Sequence, residues 1–241
     1  MPQLGAWPQN LEAHHIIVIG AGIGGLAAGA LLALKGYKVL VCESHYQPGG
    51  NCTSWARTLR SDGNKKTFVF DAGVQDISGL GPKGPVRNLL TRLQANNEIE
   101  WKRVQHAYWR DGLYLKGSQS SADFVRNIGE LFPDEKQALY TFFAEMEHIY
   151  HEMFADIETT GGIPTSPTAT NDILSWPETH PHAFQWMKKP YETMLNTFFA
   201  NDTLKHLLTT LSEYIADATE GLLVEDMAPL FGYYLTVDTI P

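Results

Sequence analysis

The hydrophobic pattern changes character along the chain, and each change marks an element. Ile16–Ile19 is a short, uninterrupted apolar run bounded by glycine, the pattern of a buried strand in a parallel sheet. Residues 26–34, rich in alanine and leucine, read as a helix that stops at Gly36. Residues 37–42 form a second apolar strand. Past Ser54 the sequence turns polar, with Ser61-Asp62-Gly63-Asn64 as a turn, and residues 67–70 form a short strand. Pro85 suits the first turn of a helix over residues 85–93. Residues 99–104 and 106–115 have the composition of strands, the second folding back at Asp111-Gly112.

From Ala122 the period becomes mainly helical. The clearest helix spans residues 134–157, where Leu139, Phe142, Phe143, Met146, Tyr150, Met153 and Ile157 recur at three- and four-residue steps. They make one apolar face, the mark of core packing, and Glu145, Glu152 and Asp156 lie on the other. Residues 159–171, with two glycines and two prolines, read as a loop. Asn201 and Asp202 stand at cap positions ahead of Leu204, Leu207, Leu208 and Leu211.

Between the first two strands lie Gly20, Gly22 and Gly25 in G-x-G-x-x-G spacing. On its own that spacing is weak evidence; followed by a helix, a second strand and an acid, it reads as a βαβ dinucleotide site. Gly20 serves the tight turn, Gly22 the close approach of backbone to a pyrophosphate, and Gly25 the packing of helix on sheet. Gly24 and Gly25 lie where the helix begins, so their N–H groups and the positive end of the helix dipole face the phosphates. Glu43, at the end of the second strand, is placed for ribose hydroxyls. A second pair, Gly49-Gly50, brings another stretch of backbone against the cofactor, which a plain NAD domain does not need.

Here the sequence resembles the two-domain FAD oxidoreductases, a group that includes amine oxidases, phytoene desaturases, carotenoid isomerases and retinol saturases. Their shared pattern of a glutamate, a short spacer, a glycine pair and a serine or threonine four residues beyond is matched by Glu43, Gly49-Gly50 and Ser54. The amine oxidase branch has arginine after the glycine pair, where this chain has Asn51. With the PGGNCTSW and FDAGVQDISGLG wording, that departure places the resemblance in the desaturase and isomerase branch. The resemblance implies FAD as cofactor, held by Gly20, Gly22, Ile23, Gly24, Gly25, Glu43, Gly49, Gly50, Asn51 and Ser54. It also places Gly73 near the flavin, although a turn glycine beside a solvated Asp71 explains that position equally well. It implies oxidoreduction of a long, apolar polyene, with no catalytic side chain named, because the flavin ring carries the redox step. An amine-oxidase-like flavoenzyme is the rival reading within enzymes.

The family's sheet is completed by a C-terminal segment ending in a glycine-aspartate motif, and no such motif follows Asp111-Gly112. The chain is therefore expected to be the front half of a longer protein, with the missing half as its partner. A dinucleotide-binding fragment without turnover of its own is the rival from outside the enzymes.

Composition narrows this further. Eighteen basic against 27 acidic residues give a net charge of −9, which argues against nucleic acid. No apolar run is long enough to span a bilayer. Residues 1–13 have no apolar core and read as a flexible leader, not a secretory signal. Two cysteines make no disulfide framework, so a reducing, cytoplasmic setting is the default. Phe184, Trp186, Lys188 and Lys189 make the one segment that suggests contact with a membrane surface. Glu145 and His148 have metal-bridging spacing, but no second Glu-x-x-His accompanies them, so no metal is expected. Cys52, beside the cofactor loop, reads as a bystander thiol because no C-x-x-C or flanking base accompanies it.

The expected architecture is α/β. A Rossmann-like FAD core with an incomplete parallel sheet covers residues 14–95, and a mainly helical substrate region with a small sheet covers residues 96–241.

Overall fold

The computed structural model describes residues 14–160, 169–214 and 221–232, apart from Asp62, Gln75, Pro82, Lys83, Asn97, Arg103, Gln105, Asp111, Ser118 and Gln119, with backbone alone for residues 155–160, 213 and 214. The chain divides into two units, Met1–Ile77 with Leu89–Glu100, and Ser78–Asn88 with Trp101–Pro241.

In the first unit, β1 (Ile16–Ile19) pairs in parallel with β2 (Val39–Cys42), Ile16 opposite Val39 and Ile19 opposite Cys42. The crossover is α1 (Ile23–Leu34), and the chain leaves it at Gly36, whose N–H donates to the Ala33 carbonyl. The second strand begins at Val39, two residues later than its apolar run. β1 was expected to be buried on both faces and is not. Ile16 and Val18 are half-buried, whereas Ile17 and Ile19 are 46% and 90% exposed, because α1 covers one face of a two-stranded sheet.

The polar stretch after Ser54 is a strand, which its composition concealed. β3 (Ser54–Ser61) and β4 (Asn64–Asp71) form an antiparallel hairpin with Trp55 opposite Phe70 and Ser61 opposite Asn64. Charged and apolar side chains share one face, so no period of two appears in hydrophobicity alone. The pairing shows instead in the contacts. Trp55 stacks on Phe70 at 4.6 Å, and Arg57 and Lys66 lie over Trp55 and Phe68.

α2 (Pro85–Arg92) begins at its proline as expected and lies across the division of the units. The strand expected at residues 99–104 is absent among the described residues, since Ile99–Lys102 and Val104 join no sheet. A strand needs a partner for its backbone groups, and apolar composition cannot supply one.

Within Trp101–Pro241 of the second unit comes the expected hairpin, β5 (Ala107–Arg110) and β6 (Leu113–Lys116). Helices follow: α3 (Ser121–Leu131), α4 (Lys136–Thr160), α5 (Thr170–Thr179), α6 (Pro181–Trp186), α7 (Tyr191–Phe198), α8 (Asp202–Thr210) and α9 (Val224–Leu230). Ser120 caps α3 by accepting the Asp123 N–H at 3.1 Å, and Asn201 caps α8 by accepting the Leu204 N–H at 3.1 Å. Of the expected loop at residues 159–171, Thr159 and Thr160 belong to α4 and Thr170 and Asn171 open α5; residues 161–168 lie outside the described residues.

The core of this unit gathers on the predicted stripe of α4. Leu139, Phe142, Met146 and Tyr150 are buried, with Phe143 and Met153 partly so; the side chain of Ile157 lies outside the described residues. Phe142 is fully buried, within 5.2–6.3 Å of the rings of Phe143, Tyr191, Phe198, Phe199 and Phe231. Burial of such a ring contributes about 1.5–3 kcal/mol.

On the opposite face of α4, where the helical period placed them, Glu145 and Glu152 are engaged by α6. Glu152 accepts the N–H groups of His182 and Ala183 at the start of α6. Glu145 accepts the Trp186 indole N–H at 2.9 Å and lies 2.8 Å from His182 Nδ1. The two acids are seven residues apart, so they share a helix face, and that face holds α6. The Asp156 side chain lies outside the described residues.

Candidate dinucleotide site

The glycine turn between β1 and α1 is built from backbone. Gly20 has φ +98°, a conformation that a side chain disfavours, and its N–H donates to the Cys42 carbonyl at 2.7 Å. A Cβ at Gly25 would overlap the Gly20 carbonyl oxygen, so this glycine lets α1 start against the turn. Gly22 and Gly24 differ. A Cβ on either would meet nothing within 4 Å, so the space beside them is open. Gly22 caps α1 with extended backbone and no side-chain bond, and no acidic residue lies in the first turn. Ile23, the first helical residue, is 50% exposed. The positive end of a 12-residue helix therefore faces open space, which suits an anion.

The second glycine pair lies against this turn. Gly49 donates its N–H to the Ala21 carbonyl at 2.7 Å and forms a parallel bridge with Gly22. A Cβ on Gly50 would stand 3.2 Å from the Gly22 Cα. Gly49 has φ +121°, which brings the chain round into the short 3-10 turn Gly50–Cys52. The Thr53 hydroxyl donates to the Gly50 carbonyl at 3.0 Å and closes that turn. Gly73 comes to the same place, where its added Cβ would lie 3.3 Å from the Asn51 carbonyl oxygen. The Val74 N–H donates to that oxygen, and Ser54 opens β3 opposite Asp71.

Glu43 joins the two loops electrostatically. Its Oε2 accepts the Ala21 N–H at 2.7 Å, and its Oε1 accepts the His45 N–H at 2.8 Å and the Ser44 hydroxyl at 3.4 Å. The His45 N–H, then the Ala21 N–H, hold its carboxyl below the ordinary carboxylate range, because both bonds favour the charged form. A carboxylate can accept about four hydrogen bonds, so these donors leave room for a ribose hydroxyl.

The residues singled out by spacing therefore form one connected backbone patch, and its open Gly22–Gly24 cradle fits a pyrophosphate. Sequence reasoning missed Ala21, whose peptide is used on both sides, because an x position in a motif carries no side-chain signal. It also missed Gly29, where a Cβ would stand 3.2 Å from Val41 Cγ2. The signal was present, since Gly29 lies four residues after Gly25 and so on the same face of α1.

Elsewhere, Glu145 and His148 serve contacts within the second unit. Glu145 is engaged with α6, and His148 stacks on His182 at 4.5 Å. Among the described residues no group of three or more His, Cys, Asp or Glu side chains gathers as a metal ligand set, and no helix is long and apolar enough to cross a membrane. In the segment that suggested a membrane surface, Trp186 is buried while Phe184 is 49% exposed.

Comparison with known proteins agrees with this geometry. The NAD(P)-binding Rossmann-like domain family matches residues 18–93. Prolycopene isomerase 2, chloroplastic, from an Oncidium hybrid cultivar is 31% identical over 150 residues, covering 60% of this chain and 24% of its own. The chloroplastic prolycopene isomerase of Daucus carota is 32% identical over 145 residues, covering 58% and 22%. The all-trans-retinol 13,14-reductase of Danio rerio is 36% identical over 101 residues, covering 42% and 15%. The chain thus spans about a quarter of the length of the isomerases it matches. Residues 18–93 therefore carry an NAD(P)-binding Rossmann-like domain, and over part of its length the chain is similar to prolycopene isomerases and all-trans-retinol 13,14-reductases, which supports the carotenoid isomerase, desaturase and retinol saturase-like branch.

Proposed function

We propose that the chain binds FAD and belongs to an enzyme that isomerises, desaturates or saturates a long, apolar polyene. The observation that carries this reading is the docking of Gly49-Gly50 on the Gly20–Gly25 turn, in a chain whose relatives are named for prolycopene and all-trans-retinol. Under this reading the Gly20–Gly25 turn holds the pyrophosphate and Glu43 the adenosine ribose. Gly49, Gly50, Asn51, Ser54 and Gly73 line the way toward the ring. FAD, when bound, supplies the redox-active isoalloxazine, and the chain's own residues bind it, orient it and exclude water. Residues 14–95 serve as the cofactor domain and residues 96–241 as the substrate region. A reducing, cytoplasmic setting belongs to the same proposal; cell fractionation tests it against the chloroplast named in the isomerase relatives.

A second reading, a dinucleotide-binding chain without turnover of its own, is favoured by the exposure of Ile17 and Ile19 on the two-stranded sheet. One experiment separates the readings. The purified chain is assayed for retained flavin, then incubated with prolycopene and all-trans-retinol in lipid vesicles, and with simple amines. Flavin with polyene conversion supports the proposal, flavin without conversion supports the second reading, and turnover of amines alone overturns the polyene assignment.

A further inference from the structure

Ala21 is the middle residue of the first glycine triplet, 4% exposed, and both ends of its backbone are committed across the site. Its N–H donates to Glu43 Oε2 at 2.7 Å, and its carbonyl accepts the Gly49 N–H at 2.7 Å. One residue therefore ties together three segments far apart in sequence: the glycine turn, the end of β2 and the second glycine pair. The Glu43 bond is charge-assisted, the stronger class of hydrogen bond, and the carboxylate is itself oriented by the His45 N–H at 2.8 Å. The neighbouring contacts leave little play, since a Cβ on Gly50 would already stand 3.2 Å from the Gly22 Cα.

We infer that Glu43 is a positioning residue for the phosphate turn as well as a ribose ligand: through Ala21 it latches the two glycine loops into one preformed cradle. The inference rests on the dinucleotide reading for what the cradle holds, but the latch itself is a property of this chain. An amide that bends away from its turn presents its neighbours' N–H groups at the wrong angle. The pyrophosphate half of a ligand therefore loses affinity when the latch opens, whether or not the ligand has ribose hydroxyls. A carboxylate acting on ribose alone has no such reach.

The test compares two nucleotides that differ only at the ribose, ADP and 2′,3′-dideoxy-ADP, on the wild-type chain and on Glu43→Ala and Glu43→Gln. Glu43→Ala is expected to weaken dideoxy-ADP by about tenfold or more, the scale of one charge-assisted hydrogen bond. Glu43→Gln, which keeps an acceptor for the Ala21 N–H, is expected to recover part of that loss. In parallel, ¹H–¹⁵N spectra of the labelled wild-type chain are followed with pH. The Ala21 and His45 amide resonances are expected to titrate together at low pH, and Ala21 is expected to lose protection from hydrogen exchange in Glu43→Ala. A Glu43→Ala variant that weakens ADP but leaves dideoxy-ADP unchanged would overturn the inference. If wild type binds neither nucleotide, the dinucleotide reading falls and the amides decide the latch. An Ala21 amide indifferent to Glu43 then refutes it, and one that responds upholds it.

Discussion

The glycines of the first turn should respond to substitution with opposite signs, although they are adjacent in sequence. Gly25→Ala places a methyl group on the Gly20 carbonyl oxygen. The obstacle is backbone, so no rotamer change relieves it, and either α1 moves off the turn or the turn opens. Overpacking costs about 1–3 kcal/mol in general and occasionally more; with backbone as the clashing partner, about 3 kcal/mol is the expected minimum. At about 4–8 °C per kcal/mol for a 60–100-residue domain, that lowers the melting temperature of the first unit by roughly 12–24 °C. Gly24→Ala meets nothing within 4 Å. It should raise stability by up to about 1 kcal/mol, because alanine loses less backbone entropy in a helix than glycine does. At Gly22 an added Cβ also meets nothing within 4 Å, so Gly22→Leu should cost the fold little beyond a poorer N-cap, about 0.5–1 kcal/mol. Its side chain would occupy the cradle, so ADP and flavin binding should be lost. Circular dichroism melts give the stabilities, and calorimetric titration with ADP gives the binding. A Gly25→Ala chain that melts with wild type would refute the close packing of α1. A Gly22→Leu chain that still binds ADP would refute the pyrophosphate assignment.

Three further outcomes follow from the side chains. The Tyr191 hydroxyl is buried with no hydrogen-bond partner among the described residues, and burial pushes its ionisation far above the ordinary tyrosine value. The native state therefore stays neutral where the unfolded chain ionises, so stability is full below about pH 10 and falls as pH rises above it; Tyr191→Phe should remove that alkaline loss in pH-dependent denaturant melts. Glu145→Ala leaves the buried Trp186 indole N–H without its acceptor and should cost about 1–3 kcal/mol in the same melts. Glu145→Gln should recover part of that cost, and equal losses in both variants would exclude the indole bond as the cause. Glu43 is held below its ordinary range by the His45 and Ala21 N–H groups, so its contribution is present above the unfolded value of about pH 4.3 and is lost as pH falls through the lower folded value. An acid melt of Glu43→Gln should lack that step.

What the chain order alone determined is the local part of the architecture. The strand Ile16–Ile19, the helix closed before Gly36, the hairpin of β5 and β6, the apolar stripe of α4 and the cap at Asn201 all depend on short-range steric and periodic rules. The motif residues were legible for the same reason, because G-x-G-x-x-G and the later glycine pair are demands on backbone that only certain residues meet. What their spacing could not show is that Gly49 and Gly50 seat directly on Ala21 and Gly22. Nor could it show that Glu43 spends its lone pairs on the Ala21 and His45 amides.

Tertiary structure alone decided the rest. β3 was hidden because its pairing with β4 rests on Trp55–Phe70 stacking and cation–aromatic contacts, which hydrophobic periodicity does not register. Residues 99–104 have strand composition, yet their described residues join no sheet, since a ladder requires a partner that composition cannot provide. The helical period placed Glu145 and Glu152 on the face opposite the apolar stripe but named no partner for them. They lie against α6 because it offers an indole N–H and two backbone N–H groups in return. In each case the sequence carried the residue's own preference, and long-range contact decided its hydrogen-bond or packing partner.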